Sequence, residues 1–331
     1  MQSFWNSLPK PFLTLAPMAD VTDPAYRKLI AELSKGQEGS VPFVTWSEFV
    51  SADGLYHTRE KKGMKDEENP LVRDLAYTEA ERPIVAQFFS STPEMMEYAA
   101  VLAVERGFDG IDINMGCPDK SIEKQGAGAG HIKDPKRAQE VIRAAVRGAQ
   151  GKIPVSVKTR IGYNKIEYEE WLPHVLSEDI AALALHLRTR KEMSKVPAHW
   201  ELAGTIASFC RSVNPNVLIS GNGDVPDVAT ARVLAEEHNL DGVMLGRAIF
   251  GNPWLFSGRK LEDISKEEKL QALARLADYF GELKPAKHFA ILKKHVKSFV
   301  NGFDGSAELR AKMMEATTLE EFQDAVQSVS K

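Results

Sequence analysis

A (β/α)8, or TIM, barrel followed by a small C-terminal helical domain is the fold this sequence predicts, and three observations predict it. Short, uniformly apolar runs recur along most of the chain, and each is followed by a longer amphipathic stretch. Such runs are strands buried on both faces of a parallel sheet, with helices as the crossovers. There are eight of them, spread over about 245 residues, the usual size of this barrel. After residue 258 the strand-like runs stop and only helical periodicity continues. A doubly wound open sheet is the alternative, but it seldom needs so many regular units in this length.

The strands are placed at 12–16, 43–46, 84–88, 110–114, 155–158, 182–187, 217–221 and 242–246. Helical patterns follow at 93–106, 135–148, 199–213 and 225–238. Pro93 and Pro135 stand just inside the first turn of two of these, where a missing N–H costs nothing. The expected division is a barrel over residues 1–258 and a helical domain over 259–331, with periodic stretches at 269–280, 286–301, 306–316 and 319–329. Within the second part, Lys284, Lys287, Lys293, Lys294 and Lys297 occur without an intervening acid. A charge run of this kind is most often a solvated face; it gains meaning only if the barrel acts on a polyanion.

Composition narrows the functional classes. The net charge of −4 over 331 residues excludes a general polycation, so any nucleic acid must be met by a local basic face. The two cysteines, Cys117 and Cys210, are too few for a disulfide framework or a four-thiolate zinc site. No spacing of histidines or carboxylates predicts a metal centre. No apolar run reaches the roughly 18 residues of a membrane helix, and no signal segment is apparent, so a cytoplasmic protein is expected.

Function in this barrel belongs to the C-terminal ends of the strands. The last two strands end in Gly221-Asn222-Gly223-Asp224 and Gly246-Arg247, where glycines permit close backbone approach and the arginine can fork onto a phosphate. Lys158 ends the fifth strand between Val157 and Thr159 and must aim into the barrel mouth, where an ammonium needs an anionic partner. His186 ends the sixth; a lone histidine there is commonly structural. Cys117 lies in a Gly116-Cys117-Pro118 loop at the rim and reads as a proton donor or nucleophile. Cys210 lies within a helical pattern and reads as packing.

These segments together resemble the dihydrouridine synthases, flavin-dependent enzymes that reduce uridine in tRNA. The matching stretches are LAPMADVTDPAYR (15–27), AQF (86–88), DINMGCPDK (112–120), VKTRIG (157–162), HLRTR (186–190), SGNGDV (220–225) and DGVMLGRAIFGNPW (241–254), in family order. The resemblance implies FMN at the barrel mouth, with Pro17, Met18 and Ala19 beside the flavin and Gln87 and Lys158 bonding its ring. His186, Asn222, Gly223, Asp224, Gly246 and Arg247 would hold the ring edge, ribityl chain and phosphate. Cys117 would give a proton to uracil C5 while hydride adds at C6, and Asn114 would help to place the base. NADPH is the expected reductant. The uridine must leave its stack to be reached, and RNA phosphates would be held by Lys120, Arg188, Arg190 and the 284–297 run. No protein partner is implied. Ser121 and the segment 195–200 depart from the family pattern on loops expected to face RNA, which leaves the modified position open.

Overall fold

In the computed structural model, which describes residues 3–327, eight parallel strands close into a barrel in chain order. They are β1 (Phe12–Leu15), β2 (Phe43–Ser51), β3 (Ile84–Phe89), β4 (Gly110–Met115), β5 (Val155–Arg160), β6 (Ala182–His186), β7 (Leu218–Asn222) and β8 (Gly242–Leu245). Closure comes from β1 against β8, with Thr14 opposite Met244. Because side chains alternate across a strand, the strands have an outward and an inward set, both with apolar residues except in β4 and β5, whose inward side chains are polar. One face, including Leu13, Ile113, Val157 and Leu245, joins the surrounding helices. The other, including Phe12, Val44, Trp46, Val85, Ala184 and Met244, fills the barrel interior. Trp5 closes the lower end of that interior, its ring 5.0 Å from Phe12 and 5.9 Å from Trp46.

Every expected strand is present, but β2 is longer than the 43–46 run. Its register shifts between Trp46 and Phe49, so Ser47 and Glu48 form a bulge, which bends a strand and re-aims a side chain. The Ser47 hydroxyl accepts from the Gln87 backbone N–H at 2.9 Å, and this keeps the bulge on the sheet. Short helices Ala52–Tyr56 and Pro70–Asp74 in the connection that follows were not foreseen.

Helices Pro93–Glu105 and Pro135–Ala149 start at their prolines as expected. The helix expected at 225 starts at Val228, because Asp227 caps it by accepting from the Thr230 N–H at 2.7 Å. That expected from 199 opens as a 3-10 turn, Trp200–Leu202, before the α-helix Ala203–Val213.

The helical region after the barrel contains Lys266–Glu282, Ser306–Glu315 and Leu319–Gln327; residues 328 and 329 of the last expected stretch lie outside the described residues. The continuous helix expected over 286–301 is not formed. It is replaced by a 3-10 segment, Phe289–His295, and one α-turn, Val296–Phe299. Arg73 takes the carbonyls of Pro285 and Ala286 at 3.1 and 3.2 Å, which directs those acceptors toward the barrel. Among the described residues no helix is long and apolar enough to cross a membrane.

Candidate active site

At the C-terminal end of the barrel lies a cavity of about 460 Å³. Its wall brings together Pro17, Met18, Lys158, His186, Asn222, Gly223, Asp224, Gly246 and Arg247, nine of the eleven residues expected at the flavin. Arg188 and Ser194 join them. Ala19 is exposed on the loop after β1, and Gln87 is fully buried away from the wall.

Lys158 and His186 reach the wall because β5 and β6 turn those positions inward. Among the described residues the Lys158 ammonium makes no hydrogen bond or ion pair. It is lowered to about 8, chiefly by burial and also by the nearby Arg160, with Asp112 and Cys117 opposing both. A cation so placed is completed by an anion in the cavity. Burial and the charges of Lys158, Arg160, Arg188 and Arg247 hold His186 well below its ordinary range. Arg188 Nη1 lies 3.1 Å from His186 Nε2 and can only donate, so the neutral ring carries its proton on Nδ1.

The far end of the cavity is cationic. Asp224 accepts from Arg188 and Arg247, and also from the Ala198 N–H at 3.0 Å. Burial alone would raise its carboxyl, but these donors hold it below the usual range. One carboxylate between two guanidinium groups leaves a net positive charge. Arg247 also opens the 3-10 turn Arg247–Ile249, whose first amides have no acceptor within the turn. Gly223, at φ +135°, gives the chain its corner; a Cβ there would stand 2.6 Å from that of Ala198. The set suits a phosphate.

Beneath the mouth, a polar network crosses three strands. Gln87 donates to Asp112 at 2.7 Å and accepts from Asn114 at 3.1 Å, while Ser156 donates to the second Asp112 oxygen at 2.7 Å. Burial pushes Asp112 up to about 6, against these hydrogen bonds. Asn114 in turn accepts the backbone N–H groups of Gly116 and Cys117 at 3.2 and 2.9 Å. It therefore shapes the cysteine loop. Asp112 and Ser156 were missed from sequence, since they lie in a strand and not at its end.

Cys117 is half-buried. Its carbonyl accepts from the Ala129 N–H at 2.9 Å, and the buried Arg160 holds the Gly116 carbonyl at 2.7 Å. Gly128, at φ +59°, fits only as glycine: a Cβ would be 2.7 Å from the Cys117 carbonyl oxygen. Burial pushes the thiol above its ordinary value; the Asp119 backbone N–H, Arg160 and Lys158 oppose this, and the Asp119 carboxylate adds to it. It stays protonated at neutral pH, as a proton donor must. Cys210 is fully buried in its helix, and its thiol is raised to about 12 by burial.

The residues expected to meet RNA part company. Lys120 is exposed. Arg190 is bidentate on Glu123 and lies over the Tyr163 ring at 5.4 Å. Arg188 is 2% exposed and directs its donors to Val196, His186 and Asp224. This corrects its expected place on the RNA surface: it belongs to the cavity. Lys287 is corrected too, since its side chain is 5% exposed and lies on Glu48 at 2.7 Å. Lys294 pairs with Asp20 at 2.8 Å, and Lys293 donates to the Met314 carbonyl. Lys284 and Lys297 are exposed.

Residues 14–331 match the family model described as dihydrouridine synthase (Dus). The chain is 40% identical over 324 residues to the "Probable tRNA-dihydrouridine synthase" of Staphylococcus aureus (strain COL), covering 97% of this chain and 93% of that one. It is also 40% identical over 323 residues to the "Probable tRNA-dihydrouridine synthase 2" of Bacillus subtilis (strain 168), covering 97% and 94%. Among solved structures, histamine dehydrogenase from Rhizobium sp. 4-9 superposes with a TM-score of 0.53 at 12% identity, over 81% of this chain and 48% of that one. That likeness is one of fold.

Proposed function

The chain belongs to the dihydrouridine synthase family, and from that premise we propose that it reduces uridine to 5,6-dihydrouridine in tRNA, with FMN in the mouth cavity and NADPH as reductant. The observation that carries this is a half-buried thiol within electrostatic reach of Lys158, the unpartnered ammonium on the wall of a cavity whose far end is cationic. FMN fits on both counts: Lys158 offers a cation to an electron-rich ring, and Arg247 with the turn amides suits a terminal phosphate. When bound, FMN supplies the hydride that adds to C6 of the uracil.

The chain's own residues do the rest. Cys117 gives its thiol proton to C5, where the enolate-like charge would otherwise persist. Asn114 holds the loop that presents the thiol, Gln87 holds Asn114, and Asp112 holds Gln87. Neutral His186 can donate through Nδ1 but adds no charge beside Lys158.

Two results test this assignment. Arg247→Ala should retain its fold and bind FMN more weakly by about 1.5 kcal/mol, the low end for a charge-assisted hydrogen bond on an exposed side chain. Flavin content at limiting FMN measures it, and full retention would remove Arg247 from the phosphate site. For RNA, replacing Lys284 and Lys297 by Ala should raise the KM for tRNA. The salt dependence of log K should become shallower by roughly 0.7 to 0.9 for each phosphate no longer neutralised. An unchanged slope would make these lysines a solvated face only.

A further inference from the structure

The loop after β1, residues 17–23, carries Pro17 and Met18 to the cavity wall. It is tied internally: the Met18 carbonyl accepts the N–H groups of Val21 and Thr22 at 3.1 and 3.0 Å, and the Thr22 hydroxyl accepts the Met18 N–H at 2.9 Å. Its tip, Asp20, takes φ +57°, a left-handed conformation that aspartate tolerates better than most residues. Glu48, in the β2 bulge, fixes it from outside the loop, its Oε1 accepting the Asp20 N–H. The other carboxylate oxygen, Oε2, accepts from Lys287 Nζ at 2.7 Å.

Lys287 comes from the helical region, 239 residues away in sequence. Asp23, Asp20 and Asp74 lie 3.8, 3.9 and 3.9 Å from its ammonium. Burial works against its charge, but Glu48, Asp23 and Asp74 outweigh burial and hold Lys287 above its ordinary range. Lys294, from the same segment, reaches Asp20 Oδ2 at 2.8 Å. Arg73, itself paired with Asp74 at 2.9 Å, clamps the carbonyls on either side of the Pro285–Ala286 peptide.

We propose that Lys287 is a positioning residue for the cofactor site: through Glu48 it fixes the 17–23 loop, so the C-terminal region helps to build the flavin side of the cavity. The inference rests on the reading that FMN lies against Pro17 and Met18. Without Lys287, the burial that already raises Glu48 is unopposed by a counter-ion and favours its neutral form, and its acceptor for the Asp20 amide is weaker and no longer held in place. The loop loosens while the barrel strands keep their own hydrogen bonds.

Two measurements on the full-length protein test it. The first is release of FMN on dilution of the flavoprotein, followed by the rise in flavin fluorescence. Lys287→Met should release it roughly tenfold faster, within the usual range of couplings between sites. Lys287→Arg, which keeps the charge, should restore slow release. The second is hydrogen exchange at residues 17–23 without FMN, which does not depend on the flavin reading; it should be faster in Lys287→Met. If Lys287→Met does not fold, the double variant Lys287→Met with Glu48→Met removes both buried charges together, a change that interiors tolerate. It still leaves the Asp20 amide without its acceptor, with only Lys294 on the Asp20 carboxylate, so both effects are expected again. Wild-type exchange at 17–23 in a folded variant would overturn the clasp. Faster exchange with wild-type FMN release would overturn its link to the cofactor. A wild-type protein that binds no FMN would instead deny the flavin reading, and the exchange result would stand apart from it.

Discussion

Cys117→Ala should still bind FMN and accept electrons from NADPH, yet form dihydrouridine roughly 10²- to 10⁴-fold more slowly, the usual contribution of a positioned general acid. Single-turnover reduction of tRNA by the pre-reduced enzyme isolates the step. Cys117→Ser should not rescue it, since a hydroxyl of far higher pKa is a poorer acid at nearly the same size. The pH profile carries a sign. The acid must be protonated, and burial raises the thiol, so the wild-type rate should hold through neutral pH and fall only on the alkaline side. Cys210→Ala is the contrast: it removes a fully buried thiol from a helix face and should cost stability through a small cavity. A near-normal rate in Cys117→Ala would move the proton donor elsewhere.

Glu81→Ala should cost about 3 to 5 kcal/mol of stability, the usual penalty for leaving a buried charge without its partner. Arg27 and Glu81 are both fully buried, and Arg27 Nε donates to Glu81 at 2.9 Å. The remaining guanidinium donors go to the Thr22 and Ala76 carbonyls at 2.7 and 2.5 Å, while Glu81 also accepts the Thr78 N–H at 2.8 Å. Removing the carboxylate strands Arg27, whereas Arg27→Met with Glu81→Met removes both charges and should recover much of the loss. Urea unfolding of the three variants decides; a single variant as stable as the wild type would show that water or another group replaces Glu81.

The eight strands were legible because a parallel strand covered on both faces tolerates few polar breaks, and β6 and β8 show it. The mouth was legible for a related reason: Lys158, His186, Asn222 and Arg247 stand where an apolar run gives way to polar residues. What stayed hidden were charges whose partners are remote in sequence. Glu48 lies beyond the apolar run at 43–46, yet β2 continues through it as a bulge. Lys287 and Lys293 look alike in a basic run, but one faces a ring of carboxylates and the other a backbone carbonyl. Arg188 and Arg190 differ by two positions on one loop, and only the packing of Val196 and Asp224 decides that the first turns inward.

The Trp5 plug has a kinetic meaning. With Trp5 buried against Phe12 and Trp46, the barrel's lower end admits nothing to the cavity. Under the proposed function, the dinucleotide that would bring electrons and the uridine that would take them share the upper opening, and a base swung out of a bulky RNA would fill it. The two visitors would then come in turn, with the flavin storing the electrons between visits.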